Sequence, residues 1–375
     1  MTISPKIAKI GLMSILDHSF PPQLAHIYNE ELANQLAATQ GAIASLNQLP
    51  RILQNPDLLM HPIIAKEAES SAQLEGTQAS IEDAYKIDLV AQTENKKNDA
   101  FEIRNYEEAM AVGVELIKDY PLNNFVTREV HKTLMQGVRG GKKHPGEFRK
   151  DDVWIGPPGT KKEQARYIAP DASHVALLME QLEHFVEETG SMNPLIACGV
   201  MHHRLEAIHP FEDGNGRIGR LLITLFLIKK KTLEFPILYP SGYFEKEKDA
   251  YMKALALVDR GEDWYSWLMY FLRALETQAR TSLQLGYDID ELFKHSRTKI
   301  EREKAGLNLI RILEHTFTRF YVTAPIVARD IHIPLTTSKT YLKILARKGV
   351  ISDLGIHLKQ RIYSNSGLIG ILRNI

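Results

Sequence analysis

Residues 209–220 read HPFEDGNGRIGR and run directly into an apolar stretch, LLITLFLI, at 221–228. Twelve positions hold one histidine, two acids, three glycines and two arginines. Gly214-Asn215-Gly216 permits backbone angles closed to most residues, so successive N–H groups can point into one concavity. A helix is expected from there over 215–231. Its N-terminus carries roughly half a positive charge and favours an anion. Arg217 and Arg220 are three apart and are expected on one face of the first turn. Two guanidiniums destabilise that end unless an anion sits between them, and their fork matches phosphate. The rest of the helix is apolar all round, which marks a buried central helix that holds the site rigidly.

Two more side chains complete the chemistry. Asp213 is a hard oxygen ligand, suited to Mg²⁺ shared with phosphate oxygens. His209 stands beside the nest, with Pro210 fixing the chain after it. Its ordinary pKa near 6.5 makes it a general base for a hydroxyl nucleophile. Phe211 is expected to plug the loop into the core.

Outward from this stretch, a chain of 375 residues suggests two or three domains. Lys and Arg number 46 and so do Asp and Glu, so bulk charge names no partner. The single cysteine, Cys198, lies in the apolar run LIACGVM and is expected in the core. A disulfide scaffold is excluded and a reducing, cytoplasmic location is expected. The N-terminal MTISPKIAKIGLMSILDHSFPP lacks a small-residue cleavage site, so secretion is not expected. No stretch reaches the roughly 18 uninterrupted apolar residues of a membrane helix.

Apolar spacing of the helical kind covers 30–48, 62–75, 100–119, 127–137, 172–189, 193–206, 215–231, 244–259 and 263–297. Pro62 and Pro194 are placed at helix starts. VWI and ARYI are short β-type runs around GPPGTKKEQ, so 153–168 is expected as a hairpin with a long loop. TENKKND (93–99) and RTKIEREK (298–305) read as linkers. IGPPGTKKE imitates a phosphate loop, but Lys161 stands where glycine is required and Glu163 where Ser or Thr is required. His202 and His203 are adjacent, face different sides of a helix and lack the HExxH spacing of a zinc site.

The tail differs in character. LIRILEHTF reads as an amphipathic helix, VTAPIVARDIHI and PLTTSKTYLKILARKGVI as two helices joined by a tight turn, and LKQRIYS as part of a hairpin. Residues 321–375 carry 8 Lys and Arg against 2 Asp, a net +6. This order and charge fit a winged helix-turn-helix. Thr336, Thr337, Ser338, Lys339 and Lys343 fall on its second helix and could face phosphates and bases. The alternative is a dimerisation or docking unit whose charges are solvated, since +6 is a modest patch for nucleic acid.

SAQLEG (71–76) closes the helix expected from Pro62. Ser71 and Glu75 share a face, and Gly76 sits where a C-cap glycine belongs. Alone, Glu75 reads as a surface carboxylate slightly misplaced against the helix dipole.

HPFEDGNGRIGR resembles the signature HxFx(D/E)GNGRxxR of Fic-domain proteins at every specified position. GEFRKDDVWIG with ARYIAP resembles that family's flap, and YPSGYFEKEKDAYMKAL its next helix. The likeness covers roughly 30–375 and includes the branch with an N-terminal helical extension and a winged-helix tail. It implies a mainly α fold: a Fic helical core with a β-hairpin flap, plus a C-terminal winged helix-turn-helix. The expected organisation is 1–95 with an inhibitory helix at 62–76, a core at 96–297 and a tail domain at 298–375. The implied reaction transfers AMP from ATP to a Tyr, Thr or Ser hydroxyl of a protein, with release of pyrophosphate.

Carried over, His209 deprotonates the hydroxyl and Asp213 holds Mg²⁺ between the α- and β-phosphates. Gly214, Asn215, Gly216, Arg217, Ile218, Gly219 and Arg220 bind the phosphates, with Asn215 also donating from its side chain. Arg217 and Arg220 grip the β- and γ-phosphates. The flap at 153–168 takes the target chain as an added strand. Residues 240–251 line the adenine side, where Glu247 and Lys248 depart from the family's usual Asn or His with Arg. SAQLEG resembles the inhibitory motif (S/T)xxxE(G/N), which implies that Glu75 pairs with Arg220 and keeps ATP from binding productively. Removal of AMP at the same site is the alternative the resemblance allows. It leaves self-modification and a homodimer open and implies no membrane partner.

Overall fold

The computed structural model describes residues 20–52, 55–87, 89–90, 94–138, 143–156, 159–261, 263–301, 303 and 306–375. The N-terminal stretch weighed as a leader therefore lies largely outside the described residues. Short 3₁₀ turns aside, the chain begins with α1 (Glu30–Ile52), α2 (Asp57–Leu74), α3 (Ile81–Lys86), α4 (Glu94–Asp119) and α5 (Asn124–Leu134). A small hairpin, β1 (Trp154–Ile155) and β2 (Tyr167–Ile168), precedes α6 (Val175–Glu187), α7 (Pro194–Ile208) and α8 (Asn215–Lys229). Then come α9 (Ser241–Lys246), α10 (Lys248–Gly261) and the long α11 (Trp264–Ile300). The tail adds α12 (Leu307–Thr318), β3 (Tyr321–Thr323), α13 (Ala324–Asp330), α14 (Leu335–Arg347), β4 (Ser352–His357), β5 (Gln360–Ser364) and α15 (Ser366–Arg373).

The centre is the pair α7 and α8. Pro194 starts α7, where its missing N–H costs nothing, and the Asn193 side chain accepts from Leu195 N at 2.9 Å. Nearly every residue of both helices is buried, Cys198 included. The α11 helix closes over α7: Trp267 Nε1 donates to Gly199 O at 3.0 Å. A Cβ on Gly199 would lie 2.8 Å from Leu268, so glycine permits the close approach. Phe226, Trp267 and Phe271 are fully buried there. Each contributes about 1.5–3 kcal/mol through the water it excludes.

Several elements differ from the sequence expectation. Pro62 lies inside α2, which begins a turn earlier at Asp57. An interior proline costs about 3 kcal/mol, yet Leu58, Leu59 and Ile63 are buried around it. Together they offset that cost at about 1.5–3 kcal/mol each. From Glu94 the expected linker is instead the first turns of α4. Its charges serve α3 and the turn before it: Asp99 accepts from Gln78 N at 3.3 Å, and Lys96 lies 3.8 Å from Asp83. A solvent-facing turn with no apolar stripe is invisible to periodicity. The expected helix at 244–259 breaks at Glu247 into α9 and α10. Of the second expected linker, residues 302 and 304–305 lie outside the described residues, and α11 runs through its start to Ile300.

The hairpin is antiparallel, with Trp154 opposite Ile168 and Ile155 opposite Tyr167. Trp154 Nε1 donates to Thr160 O at 2.8 Å across its loop, of which residues 157–158 lie outside the described set. In the tail, β5 lies between β3 and β4 in an antiparallel sheet. Ser338 cannot face a nucleic acid, because it is buried and its Oγ donates to Ala324 O at 2.9 Å. Thr336, Lys339 and Lys343 are exposed and Thr337 is half-buried. The tail packs on α3: Tyr321 Oη donates to Glu82 at 2.7 Å, and the Tyr85 and Phe320 rings lie 4.4 Å apart. No helix among the described residues is long and apolar enough to cross a membrane.

Candidate active site

The loop between α7 and α8 is built on two left-handed residues. His209 ends α7 at φ 50°, ψ 61°. Gly214 precedes α8 at φ 77°. The first is a strained conformation for a residue with a side chain, worth of order 1–3 kcal/mol. It is held by its neighbours: His209 N donates to Leu205 O at 2.9 Å, and Arg149 Nε donates to His209 O at 2.8 Å. Phe211 is fully buried and stacks on His131, with ring centroids 3.7 Å apart. His131 Nδ1 accepts from Gly146 N, so Nε2 carries the proton and donates to Asp213 O at 2.9 Å. Burial pushes the His131 pKa down to about 4, which keeps that imidazole neutral.

The Asn215 side chain folds back onto the loop. Its Oδ1 accepts from Phe211 N at 2.8 Å and its Nδ2 donates to Phe211 O at 2.7 Å. These two bonds close the loop. Asp213 Oδ1 accepts from Gly214 N at 2.8 Å, and Oδ2 lies 3.5 Å from Lys143 Nζ. Among the described residues no group of three or more metal-ligating side chains converges. His202 spends its ring nitrogens on Gly219 O at 3.1 Å and Tyr251 Oη at 2.8 Å, while His203 faces Asp259 at 3.2 Å.

The two arginines part company. Three residues along a helix leave side chains about 60° apart. Arg217 Nη1 lies 3.5 Å from Glu102, and Nη2 lies 3.7 Å from Asp213 and 3.5 Å from Met135 Sδ. It is buried, and its nearest partners differ from those of Arg220, although both guanidiniums act on the Glu75 charge. Arg220 turns the other way. Its Nη2 donates to Glu75 Oε1 at 2.8 Å and to Ser71 O at 2.9 Å, and its Nε donates to Ser71 Oγ at 3.0 Å. Gly76, at φ 94°, ends the helix that presents Ser71 and Glu75. Gly216 makes room for the pair, since a Cβ there would lie 2.2 Å from Glu75 Oε1.

A cavity of about 880 Å³ opens on this contact, lined by Glu75, His209, Gly216 and Arg220 on one side and by Tyr167 of β2 and Tyr251 of α10 on the others. Desolvation pushes the Glu75 carboxyl up, but Arg220 more than offsets it and holds the pKa below the ordinary range. Desolvation lowers the His209 pKa to about 4, with Glu75 pulling it back. At neutral pH His209 is therefore an unprotonated imidazole, the form a general base needs.

Residues 121–227 match the Fic/DOC family, and residues 33–115 match the Fic/DOC family N-terminal region. The chain belongs to the Fic/DOC family. Among curated relatives, protein adenylyltransferase Fic of Drosophila mojavensis is 28% identical over 174 residues, 46% of this chain and 31% of that protein. Its namesake of Drosophila grimshawi is 31% identical over 119 residues, 31% of this chain and 22% of that protein. The chain thus spans less than a third of the length of these relatives. A Fic family protein from Desulfovibrio desulfuricans G20 has a similar fold, with TM-score 0.59 and 22% identity over 90% of this chain and 96% of that one. A Fic domain containing signaling protein from Bacteroides thetaiotaomicron gives TM-score 0.52 and 18% identity over 68% of this chain and 97% of that one.

The Fic site also contains residues that the sequence reading missed. Arg149 lies within GEFRK, a stretch without a periodic signal of its own, and clamps His209 through its carbonyl. Glu102, His131 and Lys143 come from separate elements and carry no local signal. Lys248 donates to Leu74 O at 2.6 Å, so it secures the end of α2. Glu206, three residues before His209, lines the same cavity. Its position in the last turn of α7 was the available signal.

Proposed function

We propose that this Fic protein transfers AMP from ATP to a Tyr, Thr or Ser hydroxyl of a protein target, releasing pyrophosphate, and that Glu75 restrains it by occupying Arg220. The observation that carries this reading is the 2.8 Å Glu75–Arg220 contact inside the cavity that His209 lines. His209 takes the hydroxyl proton as the oxygen attacks the α-phosphorus, and the bond to the bridging oxygen breaks to release pyrophosphate. The N-terminus of α8, where Gly216 borders the cavity with no side chain, takes phosphate charge. Arg220 takes the distal phosphate once Glu75 leaves.

Asp213 is the residue that would hold Mg²⁺. A carboxylate that belongs to no group of three or more metal-ligating side chains among the described residues suits an ion that arrives on nucleotide phosphates. The ion, when bound, neutralises phosphate charge. The flap is read as the seat of the target chain, and Trp154, 41% exposed on it, supports that role. The single buried thiol supports a cytoplasmic location. Residues 298–375 are read as a winged helix-turn-helix. Its packing on α3 supports docking or pairing over DNA binding, and salt-sensitive DNA binding by the full chain would reverse that order.

The test is mass spectrometry of proteins incubated with ATP and the Glu75→Gly form, with Glu75→Gly/His209→Ala as control. AMP adducts on hydroxyl side chains, absent from the control, are expected; adducts on the protein itself would show self-modification. No adduct on any protein contradicts the reading. Loss of a preformed adduct with the wild type would assign hydrolysis instead.

A further inference from the structure

Glu206 has no explanation in the scheme above. It lies on the last turn of α7 and faces the cavity that Glu75, His209 and Arg220 also line. Its Oε1 is buried and has no hydrogen-bond partner. A buried polar atom left unpaired costs about 1–3 kcal/mol, so such atoms in native sites wait for a ligand or water. The opposite wall is bare backbone. A Cβ on Gly219 would lie 2.4 Å from Glu206 Oε1, and one on Gly216 would lie 2.2 Å from Glu75 Oε1. Two glycines of α8 therefore admit two carboxyl groups, one on the Gly216 side and one on the Gly219 side, with Arg220 next in the helix.

We propose that Glu206, as an uncharged carboxylic acid, donates its O–H to the phosphate oxygen that displaces Glu75 from Arg220. The inference rests on reading the cavity as a nucleotide site. The argument is one of charge. Glu75 already supplies the negative partner that Arg220 requires, so a second carboxylate beside it would be surplus. A phosphate arriving in place of Glu75 keeps that environment anionic. An ionised Glu206 would repel it, whereas a protonated one offers the single donor that the orphaned oxygen calls for.

The groups that face Glu206 act on its charge in opposite directions. Arg220 of α8 favours its ionised form, while Glu75 at the end of α2 opposes it. Tyr251 of α10 and Tyr167 of β2 also feel its charge. Desolvation dominates, and the Glu206 pKa rises to about 7. Glu206 is then a positioning residue whose protonation gates the distal end of the nucleotide, and no proton needs to move during catalysis.

The test measures ATP affinity by calorimetry in the Glu75→Gly form, with Glu206 intact, as Glu206→Gln and as Glu206→Ala, at pH 6 and pH 8.5. Glutamine keeps the shape and a donor but cannot ionise. At pH 6 the Glu206 and Gln forms should bind ATP alike, and the Ala form on the order of tenfold more weakly. At pH 8.5 the Glu206 form should fall behind the Gln form by on the order of tenfold, as its competent fraction shrinks. Titration of ATP itself cancels in that ratio. A ratio that stays constant with pH, or an Ala form equal to the Gln form at pH 6, overturns the inference and leaves the proposed function standing. Failure of the Glu75→Gly form to bind ATP at either pH overturns both.

Discussion

Arg217 and Arg220 sit one turn apart on α8, both nearly inaccessible to water, and each faces one carboxylate from an N-terminal helix or its end. Glu102, which faces Arg217, is 4% exposed and comes from within α4. Glu75, which faces Arg220, is 43% exposed and follows the last residue of α2. Glu102 is fixed further, since it accepts from Thr77 Oγ1 at 2.6 Å. Glu75 has Arg220 as its hydrogen-bond partner and borders the cavity, with Arg217 and His209 acting on it through charge alone. On the proposed reading, the carboxylate and not the arginine separates a fixture from a switch. A buried acid within a helix cannot leave, whereas one at a helix end, partly in water, can be replaced by a phosphate.

The largest effect should come from breaking the fixture. Glu102→Gln removes the closer of the two carboxylates beside the buried Arg217 guanidinium and leaves only Asp213 at 3.7 Å, which costs up to about 3 kcal/mol. Urea denaturation should show that loss, with no rise in AMP transfer per folded molecule. A rise in transfer would make Glu102 a second restraint and erase the distinction. Breaking the switch should act on rate instead. Glu75→Gly removes a charge-assisted hydrogen bond of about 2 kcal/mol, so incorporation of label from ATP should rise about thirtyfold. Ser71→Ala removes one acceptor from Arg220 but keeps the backbone carbonyl and Glu75, and a rise of about fivefold is expected. Equal effects of Ser71→Ala and Glu75→Gly would mean that geometry, and not the charge of Glu75, maintains the restraint.

The smallest effect is that of pH near the middle of its range. His131 and His209 at about 4 and His202 at about 3 lie below the ordinary histidine value of 6.5. The unfolded chain binds more protons there, so these groups lose stability as pH falls through 6.5 toward 4. Glu67 and Glu206 at about 7 and Glu107 at about 8 lie above the ordinary 4.5. The folded chain keeps those protons, so stability is lost as pH rises through 4.5 toward 8. Between pH 4.5 and 6.5 the two sets oppose each other. Thermal melts should be nearly flat there, with Tm falling on both sides. A melt that keeps rising above pH 7 would contradict the assignment of the buried carboxyls.

Much of the site was legible because its residues are contiguous. HPFEDGNGRIGR sets a nest, a helix start, a candidate base and a candidate anion partner within twelve residues. The direction of each side chain was not legible. Asn215 closing onto Phe211, or Arg217 turning to Glu102, depends on partners from other elements. The Glu75–Arg220 contact spans 145 residues, and only the likeness of SAQLEG to a known motif pointed to it. The same limit explains Pro62 within α2, Ser338 turned inward and the charged start of α4. In each, tertiary burial or pairing overrode what local pattern could express. Glu206 offered one signal, its place in the last turn of α7 three residues before His209, and no periodicity marked it.

The central claim is that Glu75 and a distal phosphate compete for Arg220. Calorimetric affinities of ATP and AMP for the wild type and the Glu75→Gly form test it directly, because AMP has no distal phosphate to place there. The account predicts that Glu75→Gly strengthens ATP binding about thirtyfold, with AMP binding changed less than about twofold. An equal gain for both nucleotides, or none for ATP, would contradict it.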